Sequence, residues 1–178
     1  MEDRASKSNV FNEQGRILQT ENAIRNVANA GTSMAILCTD GILMLGHNQT
    51  KDGTALEKIV KIDRHIFAIF SGIYADALQL IKLMRTEAMN HLMHFNTSIP
   101  ISKLAMNISA RLQYFTQTGG QRPFGCSFLL CTFEDGEFQI FSIDPSGNFN
   151  RWEKKSLGKH DEKFNSTFRT HSEFDGSV

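Results

Sequence analysis

Cysteine is scarce in this chain of 178 residues, and what there is cannot build a framework. Cys38, Cys126 and Cys131 are too few, and odd in number, for a disulfide-stapled fold, so the sequence predicts a protein of a reducing compartment. Net charge is missing as well, since 19 Lys and Arg balance 19 Asp and Glu. Without a surplus of positive charge there is no bulk electrostatic footprint for nucleic acid or an anionic membrane, and neither is expected as a partner. Long apolar runs are absent too. The longest, Ser33 to Cys38 and Ile42 to Gly46, are interrupted by Thr39-Asp40-Gly41 and fall far short of the roughly 18 residues of a membrane span. The opening residues Met1 to Ser8 are polar, which predicts no secretory signal.

What remains is enough for a core. Apolar residues make up 40% of the chain, with 14 Phe beside two Tyr and one Trp. A globular chain of this length forms one domain and buries roughly 70% of its unfolded surface. The apolar positions Ala23, Ile24, Val27 and Ala28 follow helical spacing and predict a helix from Gln19 to Asn29. Runs from Thr32 to Cys38 and from Ile42 to Gly46, apolar on both faces, predict a hairpin buried on both sides around Asp40-Gly41. Glu57 to Ile62 and Ile66 to Ser71 form a second strand pair. From Tyr74 to Phe95 the period becomes helical, with Ala77, Leu80, Ile81, Met84, Ala88, Leu92 and Phe95 in one stripe. Ile101 to Phe115 repeats the pattern with Leu104, Ala105, Ile108 and Leu112. Strands then follow at Gly125 to Phe133 and Glu137 to Ile143, joined by Glu134-Asp135-Gly136. Asp144-Pro145-Ser146-Gly147 has the residues of a type I turn, and Asn148 to Ser156 reads as one further strand. Hairpins, two helices and more hairpins make an α+β layered architecture rather than a βαβ chain. Beyond Gly158 the period is lost, and residues 159–178 read as a polar tail without packing of its own.

None of the reactive residues has the spacing of a self-sufficient active site. His91 and His94 lie one helical turn apart, but no further ligand completes a metal set, and exposed helix histidines fit better. Cys126 and Cys131 are five apart in a strand and point to opposite faces, so they cannot pair with each other. Gly119-Gly120 lacks the lysine of a phosphate loop and reads as a helix stop. Lys154, Lys155 and Lys159 read as a solvated strand end. The helix from Gln19 to Asn29, with Glu21, Arg25, Asn26 and Asn29 on its polar side, either caps its own core or packs on a neighbouring subunit. Its stripe is compatible with both.

The motifs together carry a resemblance. Gly15-Arg16-Ile17-Leu18-Gln19-Thr20-Glu21-Asn22-Ala23 is similar to the Gly-Arg-Leu-x-Gln-Val-Glu-Tyr-Ala signature of proteasome alpha-type subunits. Ala30-Gly31-Thr32, Glu57-Lys58-Ile59, the stretch from Ser71 to Ala77, the stretch from Tyr114 through Gly120, Arg122, Pro123 and Phe124 to Gly125, Asp144 to Gly147 and Trp152 follow in the family's order. Ala-Gly-Thr resembles the alpha type four class. The resemblance spans Phe11 to about Gly158, and so implies an alpha-type domain over residues 1–158, comprising a gate segment at 1–16 and an N-terminal helix at 17–29. It implies the four-layer α-β-β-α sandwich of N-terminal-nucleophile hydrolases. It further implies a heteroheptameric alpha ring of the 20S core particle, stacked on the beta ring, gating entry and docking a regulatory particle or other activators. No cofactor is implied, and the expected location is cytoplasm and nucleus. The helix bearing Gln19, Glu21, Arg25 and Asn26 would then contact neighbours in the ring.

Catalysis is not implied. In active beta subunits an N-terminal threonine attacks with help from its own amine. That position falls here on Gly31, which has no hydroxyl, while Thr32 has a peptide nitrogen. The supporting Asp and Arg positions fall on His47 and Gln49, and only the lysine is kept, as Lys58. In the family that lysine lies between adjacent subunits and pairs with the C-terminal carboxylate of an activator. Tyr114 and Arg122 are expected to tie a helix end to the next strand. The family's gate residues, a Tyr-Asp pair, a Pro and a Tyr, are replaced by Arg4-Ala5, Glu13 and Asn22. Losing the fixed φ of Pro and the aromatic ring predicts a gate that differs from that of relatives. Family members run about 70 residues further, which predicts an incomplete sandwich and a truncated or shortened product. Two alternatives accompany this reading: a divergent hydrolase processed before Thr32, and a truncated chain that does not assemble.

Overall fold

The computed structural model describes residues 9–47 and 56–170. Helix α1 (Leu18–Asn29) leads into strands β1 (Ser33–Leu37) and β2 (Ile42–Gly46), then β3 (Ile59–Lys61) and β4 (Ile66–Gly72). Helices α2 (Tyr74–Phe95) and α3 (Ile101–Gln117) follow, then β5 (Cys126–Glu134), β6 (Glu137–Ile143), β7 (Phe149–Trp152), β8 (Lys154–Leu157) and α4 (Asp161–Thr170). All pairings are antiparallel. They build a three-stranded sheet ordered β2-β1-β8 and a five-stranded sheet ordered β3-β4-β5-β6-β7.

Strand β5 shows why these layers form. Its run Phe128-Leu129-Leu130-Cys131 is apolar at every position, because both faces of the strand are buried. Cys126, Phe128 and Leu130 join the core under α2 and α3, with Ile66, Ala68, Leu80, Met84, Leu104, Ile108 and Leu112. Leu129 and Cys131 point the other way, into the core between the sheets, with Ala35, Ile69, Ile140 and Leu157. The two cysteines do lie on opposite faces. Each fully buried Leu or Ile contributes on the order of 1.5–3 kcal/mol. The β5–β6 hairpin turns through Asp135 and Gly136, both at positive φ, the conformation a two-residue type I′ turn requires. The Asp144 to Gly147 segment makes the expected turn as well, with the Gly147 amide donating to the Asp144 carbonyl at 3.0 Å. Helices α2 and α3 thus cover one face of the five-stranded sheet, its other face packs on the three-stranded sheet, and α4 rests against β8, an α+β arrangement consistent with an α-β-β-α sandwich. No helix of the described residues is long and apolar enough to cross a membrane.

Several expectations are corrected. Asn148 to Ser156 is two strands, not one: β7 pairs with β6, then the chain crosses at Glu153 to pair β8 with β1. Both halves are extended, and a change of sheet leaves no local signal. Strand β3 is shorter than Glu57 to Ile62. Strand β2 is not buried on both sides, since Leu43 and Leu45 are 40% and 48% exposed on the outer face of its edge strand. Leu92 and Phe95 leave the α2 core stripe because the helix runs past the sheet, where both are exposed. The segment after Gly158 is not without packing, because Asp161 to Thr170 is a helix seated on β8. Its half-buried residues Asp161, Phe164, Asn165 and Phe168 fall at helical spacing, one turn pair too short to stand out as a period. Nor is Lys155 a solvated strand end. It is half-buried with its ammonium 4.3 Å from the centre of the Trp152 ring, and burial lowers its pKa.

Candidate functional site

Lys58 stands just before β3, and its ammonium reaches back to the segment joining α1 to β1. Its Nζ donates to the carbonyls of Gly31 at 2.7 Å, Thr32 at 3.2 Å and His47 at 3.2 Å. An ammonium has three donors, and all three are used. Burial pushes its pKa down to about 8. Ser71, in β4, donates its hydroxyl to the same Gly31 carbonyl at 2.7 Å. The Thr32 hydroxyl donates to the Lys159 carbonyl at 2.6 Å. Gly31, His47 and Lys58, three positions equated with catalytic ones by sequence, are thus brought together by the fold. Gln49 lies outside the described residues.

The position equated with the nucleophile has no hydroxyl in this arrangement. The amine sits where it could assist a hydroxyl on residue 31, but Gly31 supplies none. The Thr32 hydroxyl is committed to a carbonyl, and its nitrogen is inside the chain. What the arrangement does chemically is hold charge: one cation cross-links the α1–β1 segment, the end of β2 and the start of β3.

Through Ser71 and Gly72 this cage adjoins a second cluster at the start of β5. Asp76 lies in the first turn of α2 and is only 2% exposed. Arg122 grips it with two bonds, Nη1 to Oδ2 at 2.6 Å and Nη2 to Oδ1 at 2.7 Å. The Gly125 amide donates to Asp76 Oδ2 at 2.9 Å. Burial by itself would raise the Asp76 pKa, but the Arg122 and Gly125 hydrogen bonds outweigh it and hold the carboxyl below its ordinary range. The Gly125 carbonyl accepts from Ile73 N–H at 2.9 Å and from Asn26 Nδ2 at 3.1 Å. One glycine therefore joins α1, α2 and β5.

The remaining sequence-predicted residues separate into structural and exposed sets. Of the α1 residues, Asn26 bonds within its own chain and Glu21 pairs with Arg16 at 3.1 Å, while Gln19 and Arg25 are exposed. The helix buries Ala23 and Val27 against its own core and leaves Leu18 and Ile24 56% and 44% exposed. Pro123 accepts from Arg122 Nη1 at 3.2 Å. Phe124 packs edge-on to Phe115 with centroids 5.0 Å apart, and Phe115 packs edge-on to Tyr114. Tyr114 itself is mostly exposed, and Gly120 turns the chain at φ 77°. Arg122 does tie neighbouring elements together, but at the start of α2; Tyr114 is not part of that junction. Arg4 and Ala5 lie outside the described residues, while Glu13 and Asn22 are exposed. His91 and His94 hydrogen-bond to the Thr97 and Asn90 carbonyls on the exposed end of α2.

Sequence reasoning missed Asp76, Ser71 and Asn9. Asp76 and Ser71 stand inside a stretch quoted for the resemblance, but nothing local marks either as a partner of Arg122 or Gly31. The Asn9 amide donates to the carbonyls of Phe115, Thr118 and Gln121 at 3.3, 2.6 and 3.0 Å. Its partners are more than a hundred residues away, so only the fold reveals them.

Comparison with known proteins bears on the same residues. The family described as "Proteasome subunit" matches residues 27–177, well past Gly158. A probable proteasome subunit alpha type-3 of Encephalitozoon cuniculi is 38% identical over 165 residues, which cover 93% of this chain and 71% of that protein. Proteasome subunits alpha type-4 of Spinacia oleracea and alpha type-4-A of Arabidopsis thaliana are each 32% identical over 163 residues. Those alignments cover 88% of this chain and 65% of the relatives. Sandwich topology, the Lys58 cage in the order the motifs predict, and a family match over most of its length agree: the chain belongs to the proteasome subunit family.

Proposed function

We propose that this chain is a non-catalytic, structural alpha-type subunit of the 20S proteasome core particle. It would act in intracellular, ubiquitin-dependent protein degradation through its interfaces with other alpha subunits and the beta ring. The observation that carries the reading is the Lys58 cage, a family lysine folded against a residue that has no nucleophile to activate. The alpha-type names of the relatives support it. Exposed Gln19, Arg25, Leu18 and Ile24 on α1 supply a surface for ring neighbours. Lys58 would receive the carboxylate of an activator only by exchanging one of its carbonyls, and the two at 3.2 Å are the weaker partners. The gate would work without the Tyr, Asp and Pro contacts of relatives. Cytoplasm and nucleus are the corresponding location.

Native gel electrophoresis of the tagged chain from its own cells, with proteomics on each fraction, tests this. Co-migration with alpha and beta subunits at the size of a core particle is the expected result. Recovery as a free monomer, or with an N-terminus starting at Thr32, would overturn it.

A further inference from the structure

Two asparagine amides hold the connection between α3 and β5, residues 118–125, at its two ends. Asn26 of α1 donates to the Gly125 carbonyl at 3.1 Å. Asn9, ahead of α1, donates from Nδ2 to the carbonyls of Thr118 at 2.6 Å, Gln121 at 3.0 Å and Phe115 at 3.3 Å. Arg122, between them, is held by Asp76. The carbonyls that Asn9 meets gather at the C-terminal end of α3, the negative end of its dipole, and the last turn of that helix has no basic residue. The Thr118 hydroxyl is already committed to the Tyr114 carbonyl at 2.8 Å. Asn9 is therefore a cap for α3 supplied by a segment far away in the chain.

The Asn9 amide can face only one way, because turned over its Oδ1 would meet three carbonyl oxygens. As it stands, Oδ1 is buried with no hydrogen-bond partner among the described residues, and two N–H groups serve three carbonyls. The contact is specific in orientation but incomplete in its bonding, so it opens more easily than a fully satisfied cap. The turn that follows Asn9 is stiff. Asn12 N–H donates to the Arg16 carbonyl and Gly15 N–H to the Asn12 carbonyl, both at 2.9 Å. Asn12 Oδ1 accepts from Gln14 N–H at 3.0 Å and from Arg16 N–H at 2.8 Å.

We infer that Asn9 is a release catch between the strap at residues 9–16 and the turn at residues 118–121, so that the two are held or freed together. A partner that draws the strap away loosens the turn, and one that draws the turn away loosens the strap by the same free energy. Asn26 and the Arg122–Asp76 pair keep residues 122–125 in place in either state. The catch belongs to the folded chain alone and does not rest on assembly into a core particle.

Residue-resolved hydrogen exchange on the full 178-residue chain and three variants tests it. The Thr118 and Gln121 amides, bonded to the Tyr114 and Thr118 carbonyls, report on the turn, and the Asn12 and Arg16 amides report on the strap. In Asn9→Ala both sets should exchange about two- to tenfold faster, the range of one net hydrogen bond. The Gly125 and Ala77 amides, bonded to Asp76 and Ile73, should keep their rates. Asn9→Asp keeps the shape of the side chain but sets a carboxylate against the carbonyls, and should exchange at least as fast as Asn9→Ala. Gly120→Ala strains the turn from its other side, because Gly120 has φ 77° and a Cβ there would meet nothing within 4 Å. The strap amides should be faster in that variant too. Parent rates in Asn9→Ala would overturn the catch. Parent rates in Asn9→Asp would make the contact one of shape rather than donation, and overturn it as well. A faster turn with an unchanged strap in Gly120→Ala would overturn the coupling, and equal acceleration at Ala77 in Asn9→Ala would replace it with a general loosening of the fold.

Discussion

At Lys58 the fold buries an ammonium among three backbone carbonyls, and that burial shifts its protonation. Its pKa falls from 10.5 to about 8 on folding because the ammonium is taken from water. The unfolded chain therefore binds more protons than the folded one between pH 8 and 10.5, and over that window stability rises with pH. Lys58→Met should flatten this rise, measured as the difference between the urea midpoints of the two proteins across pH 7 to 10. Asp76 behaves in the opposite sense. Its carboxyl is held below its ordinary range, so its contribution is present above that range and lost as pH falls through the folded value. Arg122→Ala leaves a buried carboxylate with one remaining donor, the Gly125 amide. Breaking a buried pair costs about 3–5 kcal/mol, and because the Arg122 side chain is 67% exposed a loss of roughly 2–3 kcal/mol is expected. Urea unfolding at pH 7 checks it, and Asp76→Asn should show weaker acid destabilisation than the parent.

Between elements, the close approach of β4 and β5 decides what the junction tolerates. Gly72 ends β4 at φ 125°, and a Cβ there would lie 2.2 Å from the Gly125 carbonyl oxygen and 2.6 Å from Cys126 Cα. Both obstacles are backbone, so neither can rotate away. Gly72→Ala should cost on the order of 3 kcal/mol or more and lower soluble yield, seen in thermal unfolding. The same junction shows how much of an element the sequence reveals. Tyr74 to Phe95 was legible to the residue, because an apolar stripe of 3.6 period needs no partner to be recognised. The Glu137 to Ile143 strand was equally legible from the Asp135-Gly136 turn before it. The split of β7 from β8, the helix α4, and the grip of Arg122 on Asp76 were not. Each depends on a contact between segments far apart in the chain or in different layers.

On the scale of the whole molecule, apolar surface is unevenly covered. The α2 and α3 side of the five-stranded sheet is fully packed, whereas α1 presents Leu18 and Ile24 and β2 presents Leu43 and Leu45 to the outside. If α1 carries the ring contact, Ile24→Asp should reduce co-migration with other subunits on a native gel. The isolated chain should change stability by less than about 0.5 kcal/mol, as surface substitutions do. An unchanged gel pattern would remove α1 from the interface.

Sequence alone was enough for the class and order of the elements from α1 to β6, the opposite faces of Cys126 and Cys131, and the resemblance to the family. Those follow from periodicity, turn chemistry and motif spacing, which are written within short stretches of chain. Packing in three dimensions was needed to show which sheet each strand joins, that Lys58 closes on Gly31, that Asp76 is the partner of Arg122, and that Asn165 of α4 bonds Ser156 of β8. These are hydrogen bonds between distant residues, and their donors and acceptors are ordinary until packing removes water and leaves them only each other.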